Sequence, residues 1–338
     1  MALPSRWFRS FGKCERNLHV MRLPKLFPLV LIFLLLLPGY AATPPKELLA
    51  AGRADEAIRT LQQQVSRSAS DAESFNLLCR SYFMAQEWDR GITACESARD
   101  LDPQKSLYHL WLGRIYGEKA SRVSFLSAAG LAKKVRSSFE RAVELDSKSW
   151  EARSDLADFY LEAPAIVGGG KDKARGQADA LMSFDPAIAH WVLAKLAAKE
   201  KDSTSAESEY RAYISASHSG ARAWFELAHF FFRGNRLDQM EQALGTMENS
   251  TLDHPDALMD GASLLFRSGR NFPMAARLLR RYLAAPVEEG PAFKAHDYLG
   301  QILEKQGDRH AAAEQFRAAL ALCHTYAPAQ EHLKRVAP

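Results

Sequence analysis

The stretch that decides the fold is residues 75–103, FNLLCRSYFMAQEWDRGITACESARDLDP. Its first half places a large residue, a leucine followed by a small residue, and an aromatic on one helical face. Its second half places a small, a larger and another small residue on a second helix, and a proline closes the unit. These residues are Phe75, Leu78, Cys79, Tyr82, Gly91, Cys95, Ala98 and Pro103. The segment therefore predicts two helices that share one apolar interface.

The same order of residues returns along the chain after Thr43. Counted back from these anchors, units begin near residues 72, 106, 150, 187, 221, 256 and 293, after a truncated unit around residues 52–61. Small residues such as Gly113 let two antiparallel helices approach closely, and aromatic residues such as Phe316 fill the space between neighbouring units. Because one helical pair cannot bury its apolar face alone, we expect the units to stack into a solenoid.

This pattern resembles the tetratricopeptide repeat, a unit of about 34 residues that folds as helix, turn and helix. The resemblance covers nearly the whole chain after residue 43. It implies an all-α fold, a right-handed α-solenoid of about seven to eight helical hairpins over residues 43–338. The third unit carries about ten additional residues between Tyr116 and Phe139, which predicts a lengthened or an additional helix. Residues 328–336 have a polar outer side and are predicted as a C-terminal capping helix.

Residues 1–42 differ from the rest and are typical of a secretory signal peptide. An uncharged apolar run from Leu26 to Pro38 follows Arg22 and Lys25, and Met21 is a second candidate start. The run is shorter than the roughly 20 residues that span a bilayer. We therefore expect a cleaved signal, no membrane span in the mature protein, and a periplasmic or secreted location. The alternative is an inner-membrane anchor made by an uncleaved signal.

The net charge of +4 belongs to this N-terminal segment. Without residues 1–42 the net charge is −1, so no basic surface for nucleic acid is predicted. The sequence also lacks a nucleophile elbow, a zinc-protease motif, a paired Cys-x-x-Cys and a dinucleotide fingerprint. Composition and motifs therefore predict neither catalysis nor a cofactor.

Residues 168–171, Gly-Gly-Gly-Lys, look at first like a phosphate-binding loop. They depart from that motif because Ala165 stands at the first glycine position and Asp172 follows the lysine, after a helix rather than a strand. We interpret the segment as a hinge between two helices, in which Asp172 caps the second helix.

Two further groups of residues have alternative interpretations. Cys79 and Cys95 are predicted on facing helices of one repeat. Simple packing of the two side chains is favoured there, and a disulfide bond between them is the alternative. A metal site is weakly suggested near the C-terminus, but exposed helix polarity explains these residues better, because structural zinc needs four converging ligands. The residues concerned are His310, Glu314, Cys323 and His324.

In proteins of this kind, the first helices of successive repeats line a concave surface that holds a segment of another protein. The inward positions of those helices are Asn76, Arg80, Phe83, Arg114, Trp191, Lys195, Phe225, His229, Phe232 and Arg233. We expect the cations to attract carboxylates of a partner and the aromatic residues to anchor it. The alternative is that Trp191 and Phe225 pack between repeats. The Lys and Asn pair with which chaperone-binding relatives hold an acidic C-terminal tail is missing, so such a tail is not predicted.

The sequence thus predicts a non-catalytic scaffold or adaptor that binds an unidentified protein partner in an open inner groove. One alternative is a membrane-anchored component of cell-envelope assembly. Another is an enzyme or ligand carrier, which would require a closed polar pocket.

Overall fold

The computed structural model describes residues 43–285 and 290–336, except for the side chains of Phe125 and Leu126. The predicted signal peptide lies outside these residues. The described ranges contain helices and no strand. Among these helices, none combines the length and the apolar character that crossing a bilayer requires. The helices are α1 (Pro45–Ala50), α2 (Ala54–Arg67), α3 (Ala72–Ala85), α4 (Trp88–Leu101), α5 (Ser106–Ala120), α6 (Phe125–Leu145), α7 (Trp150–Glu162), α8 (Lys171–Leu181), α9 (Pro186–Lys199), α10 (Ser203–Ala216), α11 (Ala221–Arg233), α12 (Leu237–Glu248), α13 (Asp256–Ser268), α14 (Phe272–Ala284), α15 (Ala292–Lys305), α16 (Arg309–Leu322) and α17 (Ala327–Val336).

Consecutive helices pair as hairpins, from α1 with α2 to α15 with α16, so the described residues hold eight hairpins followed by α17. From the second hairpin onward, the first helices begin at residues 72, 106, 150, 186, 221, 256 and 292. The predicted unit starts are correct to within one residue. The additional residues of the third unit lengthen α6 to 21 residues. The predicted all-α solenoid of helical hairpins is confirmed.

Small residues set the distance between the two helices of a hairpin. A methyl group on Gly113 of α5 would overlap the ring of Phe139 on α6. One on Gly300 of α15 would overlap the ring of Phe316 on α16. Phe316 is fully buried, as the repeat pattern predicts. In both hairpins a glycine makes room for the aromatic ring that fills the interface, because protein interiors are close-packed.

Short polar side chains start many of the helices. At these N-caps a side-chain oxygen accepts a hydrogen bond from the backbone N–H three residues later, which satisfies a donor that the helix leaves free. Each cap typically contributes about 1 kcal/mol and fixes where the helix begins. The residues are Asp71, Ser149, Asp185, Asp202, Asn271 and Asp308.

The glycine-rich segment forms the turn between α7 and α8. Gly168 has a φ of 103°, which favours glycine. The N–H groups of all three glycines donate hydrogen bonds to carbonyls just before them, those of Tyr160, Pro164 and Ala165. These amides are therefore engaged within a hinge. Asp172 lies inside the first turn of α8, and Gly170 is the N-cap without a side-chain bond, so the prediction that Asp172 caps α8 is wrong.

A disulfide bond joins the two helices of the second hairpin. Cys79 of α3 and Cys95 of α4 are bonded, with their Cα atoms 5.1 Å apart. The preference for unbonded packing is therefore wrong, because the close approach of the two helices brings these interior positions within disulfide reach. Cys323 is a free cysteine of the described residues and is fully buried.

The last helix, α17, covers the end of the solenoid as a cap. Ala329 and Val336 face inward and are buried. His332 Nδ1 lies 2.7 Å from the carboxylate of Asp297 on α15. The outer side of α17 stays polar, as predicted for a cap, and its first residue is Ala327 rather than Pro328.

The first and last hairpins also contact each other. Helix α2 packs against α16, and Leu48 of α1 belongs to the same apolar cluster as Phe293 and Cys323. The Asp55 carboxylate accepts a hydrogen bond from the backbone N–H of His324 and lies 2.8 Å from its ring Nδ1. We call this contact between α1–α2 and α15–α17 the seam. The first and last hairpins of the run therefore meet, which the repeat pattern does not predict.

Candidate functional site

The inner face of the solenoid is formed by the first helices of successive hairpins. Two adjoining clefts open on it, and a third of about 250 Å³ lies nearer α5, where Arg114, Trp150, Trp191 and His254 line it. The first cleft lies between α9 and α11, has a volume of about 480 Å³ and is lined in part by Tyr210 of α10. The second cleft lies among α7, α9, α11 and α13 and has a volume of about 320 Å³. Lys195, Glu226 and His229 line both clefts.

Most charged side chains of the inner face are bound to one another across neighbouring first helices. Arg114 Nε on α5 donates a hydrogen bond to Asp155 on α7 at 2.6 Å. Such ion pairs tie adjacent hairpins together and leave few charges for a partner. The pairs between neighbouring first helices are Arg114 with Glu151 and Asp155, Lys195 with Asp158, Lys199 with Glu162, and Arg222 with Asp256 and Asp260.

Arg233 and Arg267 differ from these paired residues. Neither forms an ion pair within the described part of the chain, and both are exposed. Arg267 lies over the ring of Phe232, 5.1 Å from its centroid. Arg233 and Arg267 occupy the last turns of α11 and α13, one repeat length apart, and Lys199 lies one repeat length before Arg233 at the end of α9. Three successive repeats therefore place a cation at the same end of the inner face.

Arg233 supplies the unpaired positive charge of the first cleft. Four cations line this cleft together with Glu162 and Glu226. Three of them, Lys195, Lys199 and Arg236, are paired with Asp158, Glu162 and Glu207. The charge that remains for a negatively charged group on a partner is therefore that of Arg233.

Burial shifts the pKa values of several titratable groups between the two clefts. It lowers the pKa of His229, and the cations Arg233 and Lys195 lower it further against the opposing effect of Glu226. Burial also raises the pKa of Asp158 to about 6, although Lys195 opposes this. It raises the pKa of Asp260 to about 6 as well. The lowered pKa favours the neutral imidazole of His229, so lysine and arginine supply the positive charge at the clefts.

The aromatic residues of the inner face are buried to different degrees. Trp191 is half-buried at the second cleft, with Lys195 Nζ 4.4 Å from its ring centroid. Phe225 is only 7% exposed and stacks on His229 at 5.9 Å, so it packs in the core. Trp191 therefore offers the larger accessible apolar surface of the two.

The N-terminal part of the predicted groove is a packed layer around Trp111. Arg80 and Arg114 lie over its ring at 5.1 and 4.9 Å, and Phe83 meets it edge to face. Burial and the neighbouring Arg114 lower the pKa of Arg80 to about 10. Asn76 is 2% exposed. Of the predicted groove residues, Trp191, Lys195, Phe225, His229 and Arg233 line the two adjoining clefts, and Phe232 lies beneath Arg267. Arg114 lines the third cleft together with Trp191. Arg80 lies over Trp111, and Asn76 is buried.

Several residues of the clefts were not identified from the sequence. Asp158 is the acidic partner of Lys195, which the sequence identifies. Glu226 and Asp260 pair with Arg222, which it does not identify. Arg267 carries the clearest sequence signal, since it stands at the position of Arg233 in the next repeat.

The residues suggested as weak metal ligands do not converge. His310 and Glu314 are 3.8 Å apart and exposed, whereas His324 contacts Asp55 at the seam. Within residues 43–285 and 290–336, no three His, Cys, Asp or Glu side chains are grouped to hold a metal ion.

Comparisons with known proteins agree with this architecture. The family model of the tetratricopeptide repeat matches residues 46–116 and 259–327. A comparison with curated proteins found no match. Among solved structures, yeast Tom70 is similar with a TM-score of 0.51 at 17% identity, over 84% of this chain and 58% of that one. TTC0263, a thermophilic TPR protein of Thermus thermophilus, gives a TM-score of 0.45 at 14% identity, over 60% of this chain and 97% of that one.

The likeness to Tom70 concerns the fold, and this chain spans 58% of the length of that structure. Between the two segments that match the family model, the same helix, turn and helix continues through α6 to α13. The repeat match and the fold together support a tetratricopeptide repeat protein.

Proposed function

We propose that this chain is a non-catalytic scaffold that binds an acidic segment of a partner protein at the two clefts of its inner face. Tetratricopeptide repeats are in general protein–protein interaction modules. The observation that carries the proposal is the pair of exposed arginines, Arg233 and Arg267, that form no ion pair within the described residues.

The chemistry of the clefts favours a carboxylate-bearing partner. An unpaired guanidinium can bind a carboxylate through two parallel hydrogen bonds, which fixes geometry as well as adding energy. The paired cations Arg114 and Lys195 would first have to leave Asp155 and Asp158. We therefore assign the partner's carboxylates to Arg233 and Arg267, and an apolar side chain of the partner to Trp191.

We also propose that the protein is exported, to the periplasm or to the exterior. The signal-like sequence of residues 1–42 motivates this, and the disulfide between Cys79 and Cys95 supports it, because disulfides persist mainly in oxidising compartments. The mass of the protein recovered from cells distinguishes a cleaved signal from a retained anchor.

Capture from the envelope fraction tests the proposed site. The double variant Arg233→Glu/Arg267→Glu is compared with the wild type and with Arg280→Glu/Arg317→Glu, which reverses two exposed arginines on second helices. Quantitative mass spectrometry should show partners that the wild type and the outer variant retain and the inner variant loses. Partners recovered equally by all three proteins would remove the site from the inner face.

A further inference from the structure

The seam is unlike the other interfaces of this fold. In a solenoid each hairpin contacts its neighbours, and stability is approximately a sum of these neighbouring interfaces. At the seam, α2 contacts α16, which belongs to the hairpin farthest away in sequence. Its separation would therefore leave every interface between neighbouring hairpins intact.

The seam has an apolar part and a polar part. In the apolar part, a side chain on Gly52 would overlap Ala292, so the two backbones lie close together. Phe293 is fully buried, with the ring of Tyr326 4.8 Å away. Cys323 is also fully buried, within the cluster that contains Leu48.

The polar part is the pair formed by Asp55 and His324. The Asp55 carboxylate bonds to both the backbone N–H and the imidazole of His324. The side chain of His324 is 75% exposed and that of Asp55 is 26% exposed. Water can replace these hydrogen bonds at little cost, because exposed polar groups keep their solvation. The polar part therefore closes the seam without making its closure permanent.

The inner face is narrow at one rim. Trp150 at the start of α7 contacts His254, just before α13, with their ring centroids 6.4 Å apart. Two hairpins lie between these residues in sequence, so the inner face is narrow at this rim. Opening the seam would let the hairpins spread and widen it.

We propose that the seam is a latch, which opens while the individual hairpins stay folded and thereby controls access of a partner segment to the inner face. The control of access rests on the proposed function. The opening of the latch does not rest on the proposed function. Opening and control of access are therefore tested separately.

The native thiol of Cys323 reports opening directly. Burial raises the pKa of this thiol, so a small aromatic disulfide reagent should react slowly while the seam is closed. Asp55→Ala and His324→Ala should each accelerate the reaction by up to about tenfold. Glu56→Ala is the matched control, since it removes a neighbouring carboxylate that pairs with Arg53 outside the seam. Equal rates in the wild type, the two seam variants and the control would overturn the latch.

The denaturant dependence separates opening from unfolding. Local opening exposes less surface than global unfolding, so the thiol reaction should depend on urea less steeply than the loss of helix does. Identical slopes would show that Cys323 becomes accessible only by global unfolding, and would also overturn the latch.

A bulky probe tests access to the inner face. Ser263 lines the second cleft, so Ser263→Cys in a Cys323→Ala background offers one thiol there, the other two cysteines of the solenoid being bonded. Adding Asp55→Ala should accelerate reaction with a polymer-linked maleimide and leave reaction with iodoacetamide unchanged. If both reagents respond alike, the seam does not control access. If the latch opens as described but reversal of Arg233 and Arg267 leaves capture intact, the latch stands and the proposed binding site fails.

Discussion

Truncation of Phe316 to alanine should lower the free energy of unfolding by about 3 to 5 kcal/mol. The ring is fully buried, lies against Gly300, and its centroid is 5.3 Å from that of the His332 ring. It therefore contacts the first helix of its own hairpin and the capping helix at once.

The magnitude has two sources. Returning a buried Phe side chain to water costs about 1.5 to 3 kcal/mol. The remainder comes from the cavity, because Gly300 has no side chain that could move into the space and the surrounding backbone relaxes only in part.

Urea denaturation followed by circular dichroism measures the change, and hydrogen exchange locates it. Protection should fall in α15, α16 and α17 more than elsewhere, since each hairpin of a solenoid depends on its neighbours. Phe184→Ala is the matched control, because Phe184 is 37% exposed. This substitution should lower the free energy of unfolding by less than about 1 kcal/mol. A cost for Phe316→Ala as small as that of the control would refute the assignment of this ring to the interface between hairpins.

Three further predictions concern other parts of the fold. The cysteines of the Cys79–Cys95 disulfide are 16 residues apart, so its reduction should lower the free energy of unfolding by about 3 kcal/mol. An unchanged urea midpoint under reductant would contradict this prediction. Gly113→Ala should cost about 1 to 3 kcal/mol by forcing the Phe139 ring aside; a calorimetric melt as high as that of the wild type would show that the ring has room. The pKa of Asp158 is raised from 3.8 to about 6, so its contribution to stability is present at acidic pH and lost as the pH rises through about 6. Asp158→Asn should therefore gain stability relative to the wild type between about pH 4 and pH 7, and a pH-independent difference in urea midpoints would be the contrary result.

The sequence predicts the helical hairpins well because their determinants are local. The spacing of Leu, small and aromatic residues depends on helix geometry alone, so the starts of α3, α5 and α7 follow from counting. The pairing of Gly113 with Phe139 follows for the same reason.

The sequence alone could not show which charged residues of the inner face are paired and which are available to a partner. Whether a cation is available depends on carboxylates one repeat away, as Asp155 is for Arg114, and on burial, which hides Asn76. Both depend on the angle between neighbouring hairpins, which the repeat pattern does not specify.

The seam could not be predicted for a related reason. It joins Asp55 to His324, and small rotations added over all the intervening hairpins decide whether these residues meet. The sequence did not decide whether Cys79 and Cys95 are bonded, because the pattern places both cysteines inside one hairpin without fixing the distance between them.

Site-specific photo-crosslinking tests the central claim most directly. A benzophenone amino acid replaces either Trp191 on the inner face or Gln242, which is exposed on the second helix α12. Illumination in cells should join a partner protein to the probe at position 191 and leave the probe at position 242 without a specific product. A partner joined only at position 242 would contradict the claim that the inner face of this solenoid is its binding surface.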